Sequence, residues 1–340
     1  MLKGQNKRFS FKQFWMKYQV WVIFFALLII YSVISPNFFT PVNLKNIFSQ
    51  TAMPVIVAIA ELLPILTGGI DLSVSATTAY TGIITACAIS EDGCSTGVAI
   101  LLAILVGGIC GLANGILVSR LKFAPFIATL ATTTIIKGLM YIKCGGKAIY
   151  VTDDWFTWLG KGTLLGIPVI IYLSLVVVII AALILKFTIM GRKLYAVGGN
   201  PEAARLAGIN ISNYTMMVYV LSGLLCGLAG AFAACRLGAG APTTGAEWEM
   251  DAIAAVVVGG ASLSGGIGTA LNTYLGALII GWIRNILNLM GVASYPQMIV
   301  KGLIIILAVL SQALVGGAIA PEFFKRMRNR KTGEKSSKEN

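Results

Sequence analysis

The chain is expected to be an all-α polytopic membrane protein of about ten transmembrane helices, and three observations carry that expectation. Only 11% of the 340 residues are charged while 57% are hydrophobic, against roughly 25% charged in soluble domains. Several apolar runs approach or exceed the ~20 residues a helix needs to cross a bilayer. The Lys and Arg residues are unevenly shared among the segments between those runs.

The basic start MLKGQNKRFSFKQFWMKYQ leads into an apolar run that ends in SPNF, with no small-residue cleavage site. It reads as a retained first span rather than a signal peptide. The ten runs are 20–34, 47–66, 72–90, 97–119, 123–142, 164–185, 214–235, 250–260, 267–290 and 292–316. The eighth is too short to cross alone. It either re-enters or crosses together with the polar Gly-rich segment after it. With the N-terminus inside and ten crossings, the inner segments carry 18 Lys and Arg and the outer ones 5. Nine crossings would export the tail with Lys325, Arg326, Arg328 and Arg330, against the positive-inside rule. The expected layout is a cytoplasmic segment over 1–19, a membrane unit over 20–316 and a basic cytoplasmic tail over 317–340. The outer side then holds Glu91, Asp92, Asp153, Asp154, Glu247, Glu249 and Asp251.

This pattern excludes several function classes. The net charge of +13 follows from the basic inner segments and does not call for nucleic acid. The chain has no histidine, no Cys/His metal spacing and no GxxxxGK[ST] loop, so neither a metal site, a His-based triad nor P-loop hydrolysis is expected. Four of the six cysteines lie within or at the ends of apolar runs; Cys94 and Cys144 lie in outer loops.

Three stretches stand out between apolar runs. GGIDLS at 68–73 is echoed by GGASLS at 259–264. Paired Gly-rich interruptions in corresponding places point to a transport pathway. Gly68, Gly69, Asp71 and Ser73 in the first copy, and Gly259, Gly260, Ser262 and Ser264 in the second, are the candidate break and pathway residues. Asp71 is expected to be the N-cap of a helix opening at Leu72, with Ser262 in the same slot. A simple tight turn at the inner surface is the plainer alternative. The third stretch is the longest inner loop, GRKLYAVGGNPEAARLAGINIS. Asn200 suits an N-cap, Pro201 the first helical position, Glu202 the positive dipole end and Gly208 the stop. These residues, with Ala203 and Arg205, predict a short helix over 201–207. A helix so short needs a packing partner, either its own helix ends or another subunit.

With those stretches in place, the chain resembles the membrane subunit of ribose/galactose-type ABC sugar importers over nearly its whole length. The likeness rests on SPNFFTPVNLKNI (35–47), ILTGGIDLSVS (65–75), PFIATLAT (125–132), GRKLYAVGGNPEAARLAGI (191–209), EMDAIAAVVVGGASLSGGIGT (249–269) and YPQMIVKGLIIILAVL (295–310). It is nearest in pattern to the ribose-type members. The resemblance implies a permease in the bacterial cytoplasmic membrane with both termini inside, paired with a second copy of itself. It implies ABC ATPase subunits on the inner face that carry ATP and Mg, an extracytoplasmic sugar-binding protein outside, and no cofactor or catalysis in this chain. The NPEAARLAG loop would then couple to the ATPase. The alternative is a secondary transporter or channel for a small polar solute that needs no ATPase. Departures from the family pattern are Ser75, and AELLP before the first break. Glu61 in mid-span is a functional candidate or a bundle-facing group, and Pro64 is expected to kink or end its helix. Lys137, Arg284 and Lys301 are expected to reach the membrane surface.

Overall fold

A computed structural model describes residues 11–315. The first ten residues and the basic tail expected over 317–340 lie outside them. In chain order the helices are α1 (Phe11–Ile34), α2 (Pro41–Leu66), α3 (Val74–Ser90), α4 (Thr96–Ser119), α5 (Pro125–Cys144), α6 (Asp154–Lys161), α7 (Val169–Phe187), α8 (Ile189–Gly199), α9 (Pro201–Leu206), α10 (Ile211–Leu237), α11 (Trp248–Val258), α12 (Ala270–Leu289) and α13 (Ser294–Val315). Helices fall on all ten expected runs. By length and composition α2, α4, α5, α7, α10 and α12 suffice to cross a membrane. The eighth run, α11, is a helix of 11 residues.

The chain divides into two units. One comprises residues 20–292; the other comprises residues 1–19 and 293–340, and its longest described element is α13. Within the first unit α2 and α10 are the enclosed helices, with 83% and 72% of their apolar windows buried, against 33%, 33% and 28% for α4, α5 and α7. The outer helices turn Leu101, Leu105, Ile109, Ile135, Ile179 and Leu183 outward, as a lipid-facing layer would. Close helix approach rests on glycine. A Cβ on Gly111 of α4 would lie 2.2 Å from the Tyr219 carbonyl of α10, and one on Gly223 would lie 2.1 Å from that of Gly107. Such small-residue seams let backbones pack where lipid supplies no hydrophobic drive.

Two ends of the unit are distinguishable. At one, the C-terminal ends of α2 and α4 meet the starts of α5, α10 and α12: Ser212 Oγ donates to the Ser119 carbonyl, and the Gly266 amide to that of Leu66. This end also carries α8 and α9. At the other end, β1 (Ile149–Tyr150) pairs antiparallel with β4 (Ala239–Gly240), and β2 (Thr163–Leu164) with β3 (Ile167–Pro168). There α6 is anchored by Asp153, which accepts from the Thr96 hydroxyl at 2.6 Å and the Phe156 amide at 2.7 Å. Those two bonds, the Thr96 one foremost, hold its carboxyl below the usual range. Neither α6 nor α8 was expected from sequence, and Cys144 ends α5 and is buried rather than lying in the loop.

Candidate functional site

The first break lies between α2 and α3. Pro64 lies two residues before the end of α2, and its carbonyl accepts the Thr67 and Gly69 amides. Gly68 then turns the chain at φ +79°, a left-handed conformation that suits glycine. Asp71 follows, 2% exposed. The helix opens at Val74, not at Leu72, and its N-cap is Ser73. The sequence-based assignment of Asp71 as N-cap is therefore corrected. Its Oδ1 accepts the Ser73 amide at 3.0 Å and the Ser73 hydroxyl at 2.6 Å. That is a turn closed by an Asx side chain two residues before the backbone can become helical.

Around this turn a polar network has assembled from four other helices. Asn114 of α4 donates to Ser73 Oγ at 2.7 Å and to Asp71 Oδ1 at 3.4 Å. Thr132 of α5 donates to Asn114 Oδ1 at 2.6 Å, and Ser222 of α10 to Asp71 Oδ2 at 3.4 Å. Glu61 of α2 accepts the Asp71 amide at 3.1 Å and is fully buried, so it faces the bundle interior. Its Oε2 and the Tyr219 hydroxyl are buried without a hydrogen-bond partner among the described residues. Tyr219 crosses Gly69 so closely that a Cβ there would sit 2.4 Å from its hydroxyl. Counting 1.5 Å per residue from Ser119, Pro125 and Ile211, Asn114, Thr132 and Ser222 lie about 8, 10 and 16 Å inside the end that carries α9. The break is thus inside the bundle, not a turn on its rim. Asn114 was legible as a lone carboxamide in an apolar run. Thr132, inside the PFIATLAT stretch, and Ser222 and Tyr219 were not singled out, since their neighbours here are distant in sequence.

The second break is longer and more open. After α11 the chain turns at Gly260, φ +83°, with Gly259 still right-handed at φ −63°. Ser262 repeats the first turn: its Oγ pairs with Ser264 Oγ at 2.7 Å and accepts the Ser264 amide at 3.3 Å. Ser262 does not cap a helix. That role falls to Thr269, whose side chain accepts the Asn272 amide, and α12 opens at Ala270. The echo of the two motifs therefore holds for the side-chain turn and slips by one residue at the glycine.

Both breaks meet the last turn of α8. A Cβ on Gly198 would lie 1.8 Å from the Leu66 carbonyl and 2.6 Å from the Gly266 amide, and one on Gly265 2.8 Å from the Gly198 carbonyl and 3.0 Å from the Gly68 amide. Tyr195 of α8 donates to the Gly268 carbonyl at 2.7 Å. Leu194 and Val197, three residues apart on one face of α8, are buried. Immediately after this junction stands α9. The Asn200 side chain accepts the Ala203 amide at 3.0 Å; Gly208, φ +79°, and Ile209 close its end onto the Arg205 and Ala204 carbonyls. It runs Pro201–Leu206, one residue shorter than expected. Only Ala204 is buried; Pro201, Glu202, Ala203 and Arg205 are exposed, and Leu206 is 87% exposed.

Arg284 does not reach for the surface alone. It pairs at 2.8 Å with Asp251, which is buried in α11 rather than lying in an outer loop.

A family model described as "Branched-chain amino acid transport system / permease component" matches residues 43–309. The ribose import permease protein RbsC of Haemophilus influenzae is 40% identical, over 93% of this chain and 99% of its own length. RbsC of Bacillus subtilis is 42% identical over 91% and 96%. The L-arabinose transport system permease protein AraH of Escherichia coli is 38% identical over 89% and 92%. No solved structure matches the chain.

Proposed function

Because the chain belongs to this family of transport-system permease components, we propose that it is the membrane subunit of an ABC importer that moves a monosaccharide, ribose or a close relative. The full-length likeness to ribose, arabinose and allose permeases favours a sugar over the branched-chain amino acids of the family description. ATP and Mg bind a separate ATPase subunit, and catalysis lies there. The partners are a second copy of the chain, the ATPase pair on the inner face, an extracytoplasmic sugar-binding protein and the surrounding lipid. Ten crossings place both termini and α9 in the cytoplasm.

The observation that carries this reading is the junction of α8 and α9. A short helix capped at both ends and seated by Ala204 turns Glu202, Arg205 and Leu206 outward, where a partner can dock. Its base is wedged between the two breaks, so a push on Pro201–Leu206 bears on Gly68 and Gly266 together. ATP-driven closure of the partner subunits would rock the halves between outward- and inward-open states. Gly68, Gly69, Asp71, Ser73, Gly259, Gly260, Ser262 and Ser264 then border the pathway, where irregular backbone is tolerated.

Two experiments test the reading. In proteoliposomes holding the assembled complex, Glu202→Lys and Leu206→Asp are expected to leave insertion and binding-protein docking intact and to abolish ATP-driven ribose uptake. Wild-type uptake by both variants, or uptake by this chain without any ATPase, overturns the coupling role. For orientation, an impermeant thiol reagent on intact cells is expected to modify Cys94. Ala203→Cys in a Cys94→Ser background is expected to stay unmodified until the cells are opened. Labelling of that cysteine from outside overturns the topology.

A further inference from the structure

The end opposite α9 holds a second polar constellation. The helices α2, α11 and α12 enclose a cleft lined by Gln50, Thr51 and Pro54 on one side and Asp251, Gly281 and Arg284 on the other. At 1.5 Å per residue, Gln50 lies about 14 Å from the start of α2 and Arg284 about 8 Å from the end of α12. The cleft therefore lies well inside the ends of both helices.

Each wall offers hydrogen-bonding groups. The Arg284 guanidinium is bound to Asp251 on one side yet 44% exposed, while the Asp251 side chain is 6% exposed. Gln50 is exposed, and its carboxamide both donates and accepts. Pro54 has no N–H, so the Gln50 carbonyl lacks its usual donor four residues on. Thr51 commits its hydroxyl proton to the Ile47 carbonyl at 2.5 Å, which leaves its oxygen an acceptor. Gly281 keeps the floor open; a Cβ there would stand 2.6 Å from Thr51 Oγ1.

We infer that this cleft is a hydroxyl-reading subsite for the transported sugar, the first polar station below the side where the binding protein releases it. A guanidinium already balanced by a carboxylate gives the cleft mixed donors and acceptors without net charge. That chemistry suits a neutral polyol, each of whose hydroxyls donates and accepts, better than an ion. A purely structural ion pair would not need the exposed carboxamide across the cleft from it. The inference rests on the sugar-permease reading and adds to it the residues that contact the cargo.

The test measures ribose uptake and ATP hydrolysis in the same proteoliposomes, with a hexose and leucine as alternative cargoes. Gln50→Leu, at an exposed position where folding is not at stake, is expected to lower ribose moved per ATP by about three- to tenfold, the worth of a lost hydrogen bond or two. It is also expected to narrow the preference for ribose over the hexose. The double variant Asp251→Leu/Arg284→Leu removes the pair without stranding one charge, and is expected to show the same two changes. If both variants assemble and keep the wild-type ribose-per-ATP ratio and cargo preference, the cleft does not read the sugar and the ion pair is structural only. A wild-type complex that moves leucine and no sugar overturns both this inference and the sugar-permease reading, a result distinct from failure of the cleft alone.

Discussion

Replacing Gly198 by alanine is expected to reduce ATP-driven uptake to background while the complex still assembles. The added Cβ would lie 1.8 Å from the Leu66 carbonyl and 2.6 Å from the Gly266 amide. Both neighbours are backbone, so no rotamer change relieves the overlap. Overpacking of this kind costs about 1–3 kcal/mol, and here it would force α8 away from both breaks at once. Gly199→Ala is the control, since a Cβ there meets nothing within 4 Å. Its uptake is expected to stay within about twofold of wild type, as for an exposed substitution. Uptake, ATP hydrolysis and gel-filtration profile of the two variants, measured together, decide the matter. Near-normal uptake by Gly198→Ala would show that the junction does not transmit the push from α9.

Asp71 is expected to tolerate asparagine and to fail with leucine. Its carboxylate is the acceptor for the Ser73 amide and hydroxyl, Asn114 and Ser222. Asparagine keeps an oxygen at Oδ1 and presents an amide to Ser222, whose hydroxyl accepts as well as donates. Leucine strands the Ser73 amide and the Ser73 hydroxyl proton in a dry interior, at about 1–3 kcal/mol for each unsatisfied group. Transport by Asp71→Asn is expected to remain within a few-fold of wild type, and Asp71→Leu to lose it. If correctly inserted Asp71→Asn is as inactive as Asp71→Leu, the negative charge itself is required and acceptance of hydrogen bonds is an inadequate account.

Some of this site was legible because its signals are local. Asn200, Pro201, Glu202 and Gly208 announce α9, since a cap, a first-turn proline and a left-handed stop each act within a few residues. The positions of both breaks were legible for the same reason. The helix start after Asp71 was misplaced because an Asx turn and an N-cap use the same side-chain chemistry. Only the path of the backbone after Asp71 distinguishes them, and here Ser73 rather than Asp71 caps the helix, which opens at Val74 rather than Leu72.

The sequence by itself determined the class of the molecule, the placing of its apolar helices and the short capped helix α9. Lipid thickness and backbone hydrogen bonding leave a long apolar run few choices. What only the tertiary structure decided is which polar residues meet. Asp71 finds Asn114 and Ser222, and Asp251 finds Arg284, across separations of 43, 151 and 33 residues. Gly198 is seated between Leu66 and Gly266 by the packing of α8 alone. These pairings arise from close glycine-lined approach of helices whose apolar exteriors are interchangeable, so composition and periodicity hold no record of the partner.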